Sequence, residues 1–183
     1  MLSKKEVNRL VALCKSNDRK AQHRIYDAYK DSMFSICNRY ASSSAQAEDM
    51  LVEGFLRAFS NISSYNFSAS FYSWLKVVFV HNCINMCKRE LKGRTEELTC
   101  DMADMEQDTD LPERFSGEDL LHSLQTLPER QRLIFNLYVM EDYKYTEIAE
   151  LLETSVDVVK TTVYRVRMKL KDFLLELERQ RRK

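Results

Sequence analysis

The chain has 183 residues, 28 basic and 28 acidic, 44 % hydrophobic and 31 % charged, with a formal net charge of zero. No apolar run approaches the roughly 20 residues that a membrane span needs, so stable membrane insertion is not expected. Three glycines and two prolines are too few for a sheet-and-turn fold, so the expectation is all-α, with length for two small domains. The N-terminal stretch MLSKKEVNRLVALCKS has charges spread through it and no cleavage-site pattern. A signal peptide is therefore not expected, and the protein is expected to be cytoplasmic.

The spacing predicts a first helix over 3–15, with Val7, Leu10, Val11 and Cys14 as its stripe. Asn17 and Asp18 break and cap. A longer helix to Tyr40 follows, with Ile25, Ala28, Tyr29, Ser32, Met33, Ile36, Cys37 and Tyr40 on one face. The run ASSSAQAED is a turn and a helix start, its serines capping and Glu48 and Asp49 lying near the positive helix end. The third helix carries Leu51, Phe55, Ala58, Phe59 and Ile62 inward. Gly54 in its middle costs about 1 kcal/mol relative to alanine, which predicts that something packs closely there. Asp49, Glu53 and Arg57 recur at four-residue spacing and share a face. SSYNFSAS, 63–70, is a polar loop holding Tyr65 and Phe67, and a fourth helix runs from Phe71 to Leu91 with Phe71, Trp74, Leu75, Val78, Phe79 and Asn82 inward. Its exit is basic, through Lys88, Arg89, Lys92 and Arg94. Aromatic residues in a loop beside a basic helix suit a single strand, whose bases stack and whose phosphates meet cations; they equally suit the core of a small bundle.

The zero net charge divides unevenly. Residues 1–94 hold 15 basic and 8 acidic residues, 95–119 hold 1 and 10, and 120–183 hold 12 and 10. A flexible acidic linker, 95–116, is therefore expected between domains at 1–94 and 117–183.

In the second domain, EDLLHSLQT is one short helix and LPERQRLIFNLYVME another, with Pro128 at its first position and Leu133, Ile134, Leu137 and Tyr138 inward. KYTEIAELLETSVDVVKTTVYRVRMKL, 144–170, reads as a helix-turn-helix. Ile148, Ala149, Leu151 and Leu152 form the face of its first helix, Ser155 caps the second, and Val159, Val163, Val166, Leu170 and Phe173 make the second helix's stripe. Asp157, Lys160, Thr161, Thr162, Tyr164, Arg165, Arg167 and Lys169 are expected to point outward. Hydroxyls, an aromatic ring and cations on one face suit a major groove, though an ordinary solvated helix would look similar.

Five cysteines at 14, 37, 83, 87 and 100 show no paired spacing, and Cys37 lies on an apolar face, which suits reduced thiols. His81 and Cys83 are about 200° apart around a helix, so no metal site is expected. No Gly-rich phosphate loop, paired-histidine motif or nucleophile elbow is present in the sequence, so neither catalytic residues nor a cofactor are expected.

Residues 21–90 resemble region 2 of an extracytoplasmic-function (ECF) sigma factor, through AEDMLVEGFLRAF and FYSWLKVVFVHNCIN. Residues 127–173 resemble region 4 of the same sigma-70 family, through LPERQRLIFNLYVMEDYKYTEIAELLETSVDVVKTTVYRVRMKL. The resemblance implies a subunit that directs core RNA polymerase to specific promoters and helps to open them. It implies core polymerase, promoter DNA and an anti-sigma factor as partners. It places polymerase docking on Asp49, Glu53, Phe55 and Arg57. It places minus-ten contacts on Tyr65, Asn66, Phe67, Ser68, His81, Asn85, Lys88 and Arg89, and minus-thirty-five contacts on Lys160, Thr161, Thr162, Tyr164, Arg165 and Arg167. The chain departs from the family's usual residues at Val52, where a glutamine is common, at His81, where an asparagine is common, and at Glu153, where the turn commonly has glycine. Two alternatives remain at this point: a plain helix-turn-helix regulator, and a sigma-like chain that titrates partners without initiating.

Overall fold

The computed structural model describes residues 2–92 and 116–181. The expected linker, apart from Ser116, lies outside them, as do Arg94 and Cys100. The described residues are all-α, with no strand among them. The chain separates into two compact units, Met1–Met86 and Cys87–Lys183.

The first unit is built on α1 (Lys4–Lys15), α2 (Arg19–Tyr40), α3 (Ser44–Ser60) and the part of α4 (Phe71–Leu91) up to Met86, with a short 3-10 turn at Ile62–Ser64. Local chemistry sets each start. Ser3 Oγ accepts from the Glu6 amide at 3.3 Å, Asp18 Oδ1 from Ala21 at 2.9 Å, Ser43 Oγ from Gln46 at 3.2 Å and Ser70 Oγ from Ser73 at 3.0 Å. Each satisfies an amide that has no partner within its helix. α2 packs against both α1 and α3. Val7, Leu10, Val11, Ile25, Met33, Ile36, Met50, Leu51, Phe55, Leu75 and Phe79 fill the core. Ala28 and Ser32, expected inward, are exposed, so the buried stripe of α2 is narrower than the sequence suggested.

The close neighbour expected at Gly54 is the Phe79 ring. A Cβ added at Gly54 would lie 2.4 Å from Phe79 Cε1. Phe79 is itself fully buried, with Phe55 edge-on at 5.0 Å between ring centroids. The missing methyl is what lets α3 meet this ring.

The second unit contains α5 (Gly117–Gln125), α6 (Glu129–Phe135), α7 (Tyr145–Leu151) and α8 (Val156–Arg181). Pro128 immediately precedes the first residue of α6, and a π-helical segment, Asn136–Met140, follows the helix. α8 packs against α5, α6 and α7. Its Val166 and Leu170 join Leu124, Leu127 and Phe135 in the core, with Leu120 and Val139 at the margin. Leu174 completes the stripe where Phe173 was expected; Phe173 is half-buried and faces the His122 ring at 5.5 Å. Ser116 and Asp119 form a reciprocal cap on α5, and Arg181, at the far end of α8, donates to both Asp119 carboxylate oxygens at 2.9 and 2.6 Å. These bonds to Arg181 and Ser116 hold the Asp119 carboxyl below the usual carboxylate range.

Candidate polymerase and nucleic-acid interfaces

α3 presents an outer face of Asp49, Val52, Glu53 and Leu56. Arg57 donates from Nε and Nη2 to Glu53 Oε1 at 3.1 and 2.6 Å, which fixes both side chains one turn apart. Phe55 does not share this face. It is 4 % exposed and wedged between the Tyr26 and Phe79 rings, at 4.8 and 5.0 Å. Its expected place at a docking surface is thereby corrected: five residues from Met50 and four from Leu51, it belongs to the buried stripe. Val52 and Leu56, 57 % and 62 % exposed, are the apolar residues that this face offers instead. The signal for them in the sequence was an apolar pair at four-residue spacing, out of phase with the buried set.

The loop before α4 divides its aromatic residues between two jobs. Tyr65 is buried, its hydroxyl donating to the Ala69 carbonyl at 2.8 Å, its ring beside Phe71 and Trp74 at 5.4 and 5.6 Å. Burial pushes the Tyr65 hydroxyl above its ordinary pKa. The ring expected to meet a base is instead the support of the loop. Phe67 is the ring offered to solvent: it is 41 % exposed and held at φ 63°. Asn66 Oδ1 accepts from the Ser68 amide and hydroxyl at 3.0 and 2.7 Å, which shapes the bend on either side of it.

Along α4, Val77, His81 and Asn85 form an exposed line at four-residue spacing, with Tyr72 also exposed at its start. Asn82 turns the other way, and its Nδ2 donates to the Met50 carbonyl at 3.1 Å. In the last turn Arg89 is exposed and Lys88 half-buried. Val77 and Tyr72 were not singled out in the sequence, because neither is charged and the apolar period marks only the buried set.

In the second unit, α7 and α8 form the expected helix-turn-helix. The Lys144 amide donates to Glu147 Oε2 at 2.7 Å, and the Val158 amide to Ser155 Oγ at 3.2 Å. Between them the Thr154 amide reaches the Ala149 carbonyl at 3.0 Å, with Glu153 at φ 51°. That left-handed backbone is the one for which glycine is usual at a helix end. On α8, Lys160 is exposed, and Tyr164, Arg165 and Arg167 are half-buried. Thr161 and Thr162, expected outward, are buried. Thr162 Oγ1 donates to the Val158 carbonyl at 2.7 Å, a bond within its own helix. Arg167 lies with Cζ 5.8 Å from the centroid of Tyr138, and Tyr138 in turn stacks on Tyr145 at 4.4 Å. This stack explains why Tyr138 is half-buried where it was expected inward. Burial, then the hydrogen bond with Tyr138, push the Tyr145 hydroxyl up to about 12.

Cys14, Cys37, Cys83 and Cys87 are buried thiols, and burial raises Cys14 to about 11 and Cys87 to about 12. Among the described residues no group of three or more His, Cys, Asp or Glu side chains could hold a metal ion, and no helix is long and apolar enough to cross a membrane.

Residues 25–92 match the family described as Sigma-70 region 2, and residues 117–170 match Sigma-70, region 4. The chain belongs to the sigma-70 family. Its similarity extends over whole sigma factors. It is 29 % identical to the ECF RNA polymerase sigma factor SigW of Bacillus subtilis, over 97 % of this chain and 99 % of that one. It is 26 % identical to the RNA polymerase sigma factor YlaC of the same organism, over 80 % and 88 %. It is 25 % identical to the ECF RNA polymerase sigma-E factor of Haemophilus influenzae, over 86 % and 89 %. The protein is thus a sigma factor of the ECF type, which directs core RNA polymerase to promoter DNA at transcription initiation. The sigma region 2 match begins inside α2, so α1 and the first turns of α2 lie outside it.

Proposed function

We propose that the two sigma modules occupy residues 1–94 and 117–183, joined by the acidic segment 95–116, and divide the work of initiation between three surfaces. Core polymerase docks on the outer face of α3, through Asp49, the fixed Glu53–Arg57 pair, and Val52 and Leu56. Phe55 holds that helix from behind. The minus-ten strand lies on Asn66, Phe67 and Ser68 of the loop and on His81, Asn85, Lys88 and Arg89 of α4, with Tyr65 beneath. The minus-thirty-five element is read from α8 by Lys160, Tyr164 and Arg165, with Arg167 steadied on the Tyr138 ring. Thr161 and Thr162 are buried and take no part in this face. The protein acts in the cytoplasm as a binding subunit rather than as a catalyst, and an anti-sigma factor is its expected regulator.

The observation that carries this reading is the pairing, in one chain, of an exposed Phe67 on a built loop with an α8 whose exposed Lys160 follows a Ser155-capped turn. A groove reader needs only the second; a strand-melting factor needs both. Run-off transcription with core polymerase on a library of genomic fragments is the test. Discrete transcripts that require this protein, with start sites downstream of two spaced motifs, are expected. Tight duplex binding without polymerase, and no transcript, would favour a helix-turn-helix regulator. Core binding without any transcript would leave a chain that titrates partners.

A further inference from the structure

α1 lies outside the region 2 match, yet its last residue reaches the loop that carries Phe67. Lys15 Nζ donates to the Tyr65 carbonyl at 2.7 Å and stands 4.8 Å from the centroid of the Phe67 ring. One ammonium thus holds two consecutive features of the loop. The carbonyl belongs to the residue that ends the 3-10 turn, and the ring belongs to the residue two positions later, whose φ is 63°. A phenylalanine in left-handed backbone persists where its surroundings hold it. Around Phe67 those surroundings are the Asn66–Ser68 bend, the Tyr65 ring at 4.8 Å and Lys15. The first two belong to the loop itself. Lys15 is fifty residues away in sequence and is anchored on a helix whose neighbours Val11 and Cys14 are fully buried.

We propose that Lys15 is a positioning residue for promoter opening: α1 clamps the 65–68 loop through it and so presents the Phe67 ring to an unstacked base. The cation occupies one side of the ring, fixing its plane as a cation–π contact does, while the ring's exposed part stays available for stacking. The inference rests on the reading of this loop as the minus-ten surface. It assigns Lys15 an action through Phe67, not a contact of its own with a phosphate.

The test uses the full chain with core polymerase on a promoter identified by the run-off screen. Lys15→Met, Lys15→Arg, Phe67→Ala and the Lys15→Met/Phe67→Ala double variant are compared. Opening is read from 2-aminopurine fluorescence in the minus-ten non-template strand, and core binding is measured separately. Lys15→Met and Phe67→Ala should each lower opening five- to tenfold at unchanged core affinity. The double variant should be no worse than Phe67→Ala, and Lys15→Arg, which keeps the charge and the donors, should recover most of the activity. In the free protein, Lys15→Met should speed amide exchange at Phe67 and Ser68 but not in α3. Effects that multiply in the double variant would show Lys15 acting on DNA directly and would overturn the proposal. So would full opening by Lys15→Met beside an impaired Phe67→Ala, which leaves the loop reading intact. Full opening by Phe67→Ala would instead remove the loop reading and the proposed role in opening with it; exchange then decides the clamp alone, and unchanged exchange overturns that as well.

Discussion

Gly54 and Glu153 are opposite cases of one constraint, the space and backbone angle that a single residue needs. At Gly54 a methyl group would meet the Phe79 ring at 2.4 Å, and that ring is hemmed in by Phe55. Alanine gains about 1 kcal/mol of helix propensity there, but overpacking a filled core typically costs about 1–3 kcal/mol. Gly54→Ala should therefore lower the urea midpoint of unfolding; a raised midpoint would mean that α3 and α4 part without cost. Glu153 is a charged side chain at φ 51° in the turn of the reading motif. Glu153→Gly should stabilise the second unit by about 0.5–1 kcal/mol, the relieved backbone strain less the extra freedom of the unfolded glycine, and so raise its urea midpoint. A lowered midpoint would show that the Glu153 side chain matters more than its backbone. Gly54 was legible in the sequence as a glycine out of place in a helix, whereas the strain at Glu153 was visible only by comparison with the family's usual glycine.

At the scale of a helix, the sequence's period gave the buried stripe well and its width poorly. On α3 the stripe through Leu51, Phe55 and Ala58 is as expected, and Phe55 was misplaced because the resemblance, not the period, put it at the surface. Asp49→Arg and Leu56→Asp should each weaken core-polymerase binding in a pull-down while leaving circular dichroism unchanged. Phe55→Ala should instead cost about 3–5 kcal/mol of stability, and a stable Phe55→Ala protein would return that residue to the interface. On α8 the arc is wider than one stripe, because α5, α6 and α7 all pack against this helix. A period detects one covered side; it does not count the partners, and so Thr161 and Thr162 were assigned to solvent. Lys160 stays exposed and Tyr164 and Arg165 half-exposed, and these are the residues of the proposed groove face. Arg165→Ala should lower transcription several-fold, with the loss concentrated at one upstream base pair, since a bidentate base contact is worth about 1–3 kcal/mol. Lys160→Ala should act more evenly over promoter sequences. Wild-type discrimination by Arg165→Ala, measured on single-base promoter variants, would remove it from base reading.

Over the whole molecule, the two hydrophobic patterns and the acidic interval between them were enough to expect two bodies, and the compact units divide at Met86 and Cys87, inside α4. A helix that continues through such a division has no sequence mark, because its apolar period does not change there. The closing ion pair of the second unit was also invisible, since Asp119 and Arg181 are 62 residues apart. It gives the unit an acid limb. The Asp119 carboxyl titrates lower when folded than when unfolded, so its contribution is present above about pH 4, the unfolded value, and is lost as pH falls through the folded one. Asp119→Asn should reduce stability at neutral pH and flatten the fall below pH 4; an unchanged acid limb would exclude the pair as its source.

That pair also ties the far end of α8 to α5. Its 26 residues span about 39 Å at 1.5 Å per residue. The residues proposed to read the promoter sit near one end, and Arg181 grips the first turn of α5 from the other. Tilting the helix by about 10° about its N-terminal end would carry the far end by about 7 Å, on the same rise per residue. On the proposed reading, the angle at which α8 settles in a groove is thus geared to the position of Ser116, whose side chain shares the Asp119 carboxylate with Arg181.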